Sequence, residues 1–245
     1  MSVSKSKIVV IGLAVVSMAG LCHEDLFCQD LGTGGAVGAA KNVVAIASTE
    51  AAFIDSPIEV DGRLDEAEWN RAPVATEFIQ GEPVEGVAAE EETEVWVLFD
   101  GSALYVGARL YDSDPGSIAD QLVRRDDHGN FDYFEVSLDP NNDRRTGYAF
   151  RVSAANVQGD QYLYYDRRED RAWDAVWDSG VQRNDDGWTV EMRIPLSQIR
   201  YEAADSVQTW GANFTRMRQA SKEKSYFRLM SRLQEGRVSQ FGRLE

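Results

Sequence analysis

Residues 132–165 read DYFEVSLDPNNDRRTGYAFRVSAANVQGDQYLYY. Phe134, Val136 and Leu138 occupy alternate positions, and so do Tyr148, Phe150 and Val152. That period of two belongs to strands with one buried face. Between them, residues 139–147 (DPNNDRRTG) are a run of turn formers, which predicts an antiparallel hairpin. A hairpin symmetric about Asp143 sets Phe134 opposite Val152, Val136 opposite Phe150, and Glu135 opposite Arg151. The first two pairs face the core, and the third lies on the other face. A carboxylate beside a guanidinium there reads equally as a small polar binding site or as a cross-strand ion pair with no further role.

The N-terminal segment reads as a targeting sequence. Lys5 and Lys7 precede a mostly apolar run over residues 8–21, the pattern of a secretory signal, which predicts a secreted, periplasmic or outer-membrane-associated product. Cleavage fits after Ala19 or after Ala47. Residues 1–21 are assigned to the signal and 22–49 to a flexible leader rich in glycine and alanine. The two cysteines, Cys22 and Cys28, fall in that leader, so no disulfide framework supports the domain expected over residues 50–245. The net charge of −16 makes nucleic acid and anionic membranes poor partners.

Short strands with regular turn signals continue along the chain. Ile58-Glu59-Val60 reads as a strand turning at Asp61-Gly62, and residues 64–71 as two helical turns anchored by Leu64 and Trp69. Residues 82–92 form an acidic loop. Residues 93–100 and 103–111 pair as a hairpin, residues 166–178 form a polar loop, and 176–183 pair with 188–194. Residues 210–217 pair with 226–231 around Lys222-Glu223-Lys224, and a short strand precedes Phe241. The expected architecture is all-β, an antiparallel sandwich of jelly-roll kind with short helical turns.

Val60-Asp61-Gly62-Arg63-Leu64-Asp65-Glu66-Ala67-Glu68-Trp69 resembles the opening of carbohydrate-binding module family 9. Val97-Leu98-Phe99-Asp100, Asp132-Tyr133-Phe134-Glu135-Val136, Phe150-Arg151-Val152, Trp188-Thr189-Val190-Glu191 and the closing Phe241-Gly242-Arg243-Leu244 are similar to later motifs of that family, in order. The chain resembles most the form of this module that precedes a predicted outer-membrane barrel. No barrel follows Glu245, which leaves a truncated product or a free-standing version as the two readings. The resemblance implies a non-catalytic β-sandwich that binds carbohydrate, serves polysaccharide breakdown and commonly carries structural calcium. It assigns Glu135 and Arg151 to hydrogen-bonding the sugar. The family's two tryptophans do not carry over, since Gly129 and Glu235 stand in their places. Trp173, Tyr164 or Phe131 are the candidate replacements for the stacking surface.

A cation site is expected at Asp126, Asp127 and Asp132. The Asp139–Asp143 stretch is explained by a turn, because the calcium-loop glycine and the closing glutamate are missing. A haem sandwich would need an axial pair from His128 with Met217 or Met192, and no haem is expected. A glycosidase would need two matched carboxylates, and none is singled out. The remaining competitor to sugar binding is an interaction domain of an outer-membrane barrel system.

Overall fold

The structure is a computed structural model and describes residues 47–202 and 207–245. The signal segment, both cysteines and nearly all of the leader lie outside the described residues. The described residues form fourteen strands: β1 (Ser48–Thr49), β2 (Ala51–Phe53), β3 (Ile79–Glu82), β4 (Thr93–Phe99), β5 (Ala103–Tyr111), β6 (Tyr133–Asp139), β7 (Gly147–Ser153), β8 (Gln158–Tyr164), β9 (Arg168–Asp170), β10 (Asp178–Asn184), β11 (Gly187–Pro195), β12 (Trp210–Arg218), β13 (Glu223–Tyr226) and β14 (Gly242–Leu244). One sheet has the order β10-β11-β5-β4-β2. The other runs β1-β14-β12-β6-β7-β8-β9, with β13 and then β3 joined to β12. Pairing is antiparallel except at β1–β14 and β2–β4.

The sandwich follows from period-two burial. Val95, Val97, Leu104, Val106, Val190 and Met192 of the smaller sheet meet Phe134, Val136, Phe150, Val152 and Phe214 of the larger in one core. Phe134 and Phe214 stack with centroids 6.2 Å apart. The β6–β7 register has the expected partners: Phe134 opposite Val152, Val136 opposite Phe150, Glu135 opposite Arg151. At the turn, Asp139 accepts from the Asp143 and Arg144 amides at 3.2 and 2.8 Å, so its oxygens serve the hairpin.

Four readings of local structure change. Ile58-Glu59-Val60 is not a strand, because the Asp61 and Gly62 amides go to the Glu191 carboxylate at 3.0 and 2.8 Å instead of a ladder. The helix is one short 3-10 segment, Ala67–Arg71. Ser48–Thr49, assigned to the leader, pairs with β14. The β12 partner starts at Glu223 rather than after the turn, so Lys224 sits within a strand. The acidic loop has a structural role: Arg216 donates to the Glu92 carbonyl at 2.8 Å, and Arg218 meets Glu90 at 3.1 Å and Glu91 at 3.5 Å.

The outer face of the smaller sheet is covered by residues 54–72. Ile54, Ile58 and Trp69 pack there on Leu98 and Tyr105. Gly107 makes this approach feasible: a Cβ would stand 2.6 Å from Leu64 and 2.9 Å from Trp69. Glu191, opposite Gly107 on β11, fastens the cover by accepting from Asp61, Gly62 and the Trp69 indole, the last at 3.2 Å. The Asp-Gly-x-x-x-x-x-x-Trp pattern and Trp-Thr-Val-Glu are thus two halves of one clasp.

Burial, with Glu66 nearby, pushes the Glu191 carboxyl up to about 7. The folded chain holds this proton more tightly than the unfolded one. The contribution is therefore full below about 4.5 and is lost as pH rises through 7. In urea unfolding, the stability of the wild type relative to Glu191→Gln is expected to fall by about 3 kcal/mol between pH 4 and pH 8. Glu191→Ala, which orphans three donors, is expected to cost about 2–4 kcal/mol at pH 6.

Candidate functional site

Committing the even-numbered residues of β6 and β7 to the core turns Glu135, Ala149 and Arg151 outward. They floor a cleft of ≈ 380 Å³ on the outer face of the larger sheet. Gly159 and Gln161 of β8 and Lys224 of β13 extend the floor. Asp126, His128, Gly129, Phe131 and Tyr133 line the cleft as well, as do Met230, Arg237, Glu169 and Arg171.

Glu135 and Arg151 are neighbours in the ladder yet do not form an ion pair with each other. The Glu135 carboxylate accepts from Arg237 Nη2 at 2.8 Å and from Ser137 Oγ at 3.4 Å. Arg237 also meets Glu169 at 3.4 Å, and the Gln161 amide, oriented to satisfy both, accepts from Arg237 and donates to Glu169. Arg171 pairs with Glu169 and contacts His128. Arg237 therefore ties β6, β8 and β9 together across the cleft.

The Arg151 guanidinium turns the other way. It lies 5.6 Å from the Phe131 ring centroid and 5.7 Å from that of Tyr133, and donates to the Asp127 carbonyl at 3.4 Å. Gly159, its ladder partner, makes room: a Cβ there would stand 2.8 Å from Arg151 Nη2. Lys224 Nζ sits 5.6 Å from the Tyr226 ring centroid. Burial opposes the Lys224 charge, but the Tyr133 and Tyr226 phenols and the Glu135 carboxylate outweigh it and raise this ammonium above the ordinary lysine range.

Two of the proposed sugar contacts lie elsewhere. Trp173 packs 5.0 Å from Tyr148 and 5.9 Å from Phe150, on the core side of the sheet. Tyr164 stacks on Tyr162 at 6.2 Å, and both project opposite to the cleft-facing Gly159 and Gln161 of the same strand. The period of two excludes them from the cleft. Phe131 does line it. Gly129 lines it as well, with Phe131 filling the space beside it, whereas Glu235 is exposed and pairs with Arg167 at 3.0 Å.

The three aspartates assigned to a cation do not converge. Asp126 accepts from the Asp160 amide at 2.9 Å, and Asp127 is exposed. Asp132 is buried, accepts from the Gln219 amide at 2.8 Å and is raised by that burial. Among the described residues, no group of three or more His, Cys, Asp or Glu side chains is placed to hold a metal ion. These residues do not fit a calcium site.

Lys224, Arg237, Gln161, Glu169 and Arg171 were not foreseen. Lys224 and Tyr226 alternate with Glu223 and Ser225, a signal hidden once residues 222–224 are taken as a turn. Arg237 lies in an irregular segment with no periodicity to read.

The chain is similar in fold to a family 9 carbohydrate-binding module from Caldicellulosiruptor kristjanssonii in complex with cellotriose, with a TM-score of 0.60 and 19% identity over 81% of this chain and 92% of that one. The same module in complex with glucose gives 0.59 at 19% identity, covering 81% and 94%. A Bacteroides uniformis protein, named as a candidate carbohydrate binder, gives 0.64 at 12% identity, covering 82% and 99%. No curated protein matches the chain. Residues 60–229 match the family described as carbohydrate family 9 binding domain-like, and the clasp, the core hairpin and the cleft all fall largely within that span. The chain belongs to the carbohydrate family 9 binding domain-like family.

Proposed function

We infer that this protein binds carbohydrate without transforming it, through the cleft floored by Glu135 and Arg151. The observation that carries this reading is the cleft itself, a concave polar floor with an aromatic wall, on a fold whose solved relatives hold cellotriose and glucose. The half-buried Tyr133 borders the cleft and, with the buried Phe131, backs the Arg151 guanidinium, while Arg151, Lys224 and the Glu135–Arg237 pair offer donors and acceptors to sugar hydroxyls.

A binding role rather than catalysis is supported by how the cleft carboxylates are used. Hydrolysis needs one carboxyl free to donate a proton and a second free to act on the ring. Glu135 is engaged by Arg237. Asp160 is raised by burial, but it accepts from the Trp177 indole at 2.9 Å and the Ala175 amide at 3.1 Å and pairs with Arg125. Their oxygens hold the protein together. The reading extends to a secreted or periplasmic product that serves polysaccharide use, consistent with the signal-like N-terminus.

Calorimetric titration with cello-oligosaccharides tests the reading. Glu135→Ala and Arg151→Ala are each expected to weaken binding at least tenfold (about 1.4 kcal/mol) while circular dichroism stays native. Unchanged binding in both variants would place the site elsewhere. Gly159→Ala is expected to push the flexible end of Arg151 aside, weakening binding at a stability cost below about 1 kcal/mol. Trp173→Ala is expected to show the reverse, losing about 2 kcal/mol of stability in denaturant melts with the cleft's contacts intact.

A further inference from the structure

The charge balance of the cleft differs from that of the chain. The chain carries 41 acidic against 25 basic residues, whereas acidic and basic side chains are about equally represented in the lining of the cleft. Every carboxylate lining the cleft is already engaged. Glu135 has Arg237, Glu169 has Arg171 and Arg237, Asp160 has Arg125, and Asp126 has the Asp160 amide and, at 3.7 Å, Arg125. Two cations are left over. Among the described residues, neither Arg151 nor Lys224 has a carboxylate oxygen within 4.0 Å.

Both are half-buried rather than waving in solvent. Arg151 is positioned by two aromatic rings, a backbone carbonyl and the space above Gly159, none of which neutralises it. Lys224 is positioned over the Tyr226 ring. Both cations line the cleft around Tyr133: burial raises that phenol, the Lys224 and Arg151 charges act against the rise, and the Glu135 charge adds to it. The Glu135 carboxylate that favours the Lys224 charge is itself engaged by Arg237, so an anionic group arriving between Arg151 and Lys224 would be a direct partner that neither cation has. The guanidinium fork suits a planar or tetrahedral oxyanion, and a lysine supplies a second point charge.

We propose that the cleft selects an acidic oligosaccharide, one whose sugar carries a carboxylate or a sulfate ester held by Arg151 and Lys224. The proposal rests on the carbohydrate-binding reading and narrows its ligand class. A neutral sugar would leave both cations without a direct ion-pair partner.

The test is calorimetry on the full chain with four probes: trigalacturonate, its methyl ester, cellotriose and a sulfated heparin-type disaccharide. At least one of the acidic probes is expected to bind about tenfold or more tighter than methyl ester and cellotriose, with the advantage shrinking as salt is raised. Which acidic probe wins identifies the carboxylate or the sulfate. Lys224→Met and Arg151→Gln are each expected to lower acidic-probe affinity about tenfold, and Lys224→Arg to retain most of it. Cellotriose or the methyl ester binding as well as both acidic probes overturns the proposal and leaves the carbohydrate reading standing. A natively folded chain that binds none of the four overturns both.

Discussion

The rest of the structure depends on the burial of one face of the β6–β7 hairpin. Phe134, Val136, Phe150 and Val152 are fully enclosed against the smaller sheet. Because side chains alternate strictly along a strand, that burial leaves no choice about Glu135 and Arg151, which must face outward together. The cleft surface is thus the complement of the core. A one-residue slip of either strand would turn its own apolar residues outward, Phe134 and Val136 on β6 or Phe150 and Val152 on β7, and break up the cleft floor in the same step.

The two outer faces are then treated differently. On the smaller sheet the chain folds back over its own surface, and Glu191 anchors the cover through two amides and an indole. On the larger sheet the cover is partial: Val238, Phe241 and Met230 pack on Ala149 and Leu163, and the cleft lies beside them. The polar groups there are held by one another instead, with Arg237 bridging Glu135 and Glu169. One face gains stability and the other keeps an open, organised concavity. The glycines mark both arrangements, since Gly107 admits Trp69 and Gly159 admits Arg151.

The sheet pairings at the centre of the chain were legible in the sequence, because alternation and turn chemistry agree there. Glu135 and Arg151 could be placed side by side from their spacing about Asp143 alone. The resemblance to family 9 modules added the family, which the match over residues 60–229 shows. What was not legible follows from contacts distant in sequence. Arg237 reaches Glu135 across 102 positions, and nothing local announces it. Trp173 and Tyr164 looked like free aromatic surface because composition does not reveal which face of a strand or which side of a sheet a ring occupies. Ile58-Glu59-Val60 looked like a strand because its pattern fits one, while its neighbouring amides had a carboxylate on β11 waiting for them. The three aspartates of the expected cation site are close in sequence, yet Asp126 and Asp132 accept from the Asp160 and Gln219 amides and the three do not converge.

The central claim is that ligand is held on the outer face of the larger sheet. Amide chemical-shift mapping during titration with cellotriose and trigalacturonate addresses it most directly. The account predicts shifts concentrated at residues 126–135, 149–161, Lys224 and Arg237. Shifts centred on β4, β5 and β10, or on the cover over residues 54–72, would contradict it.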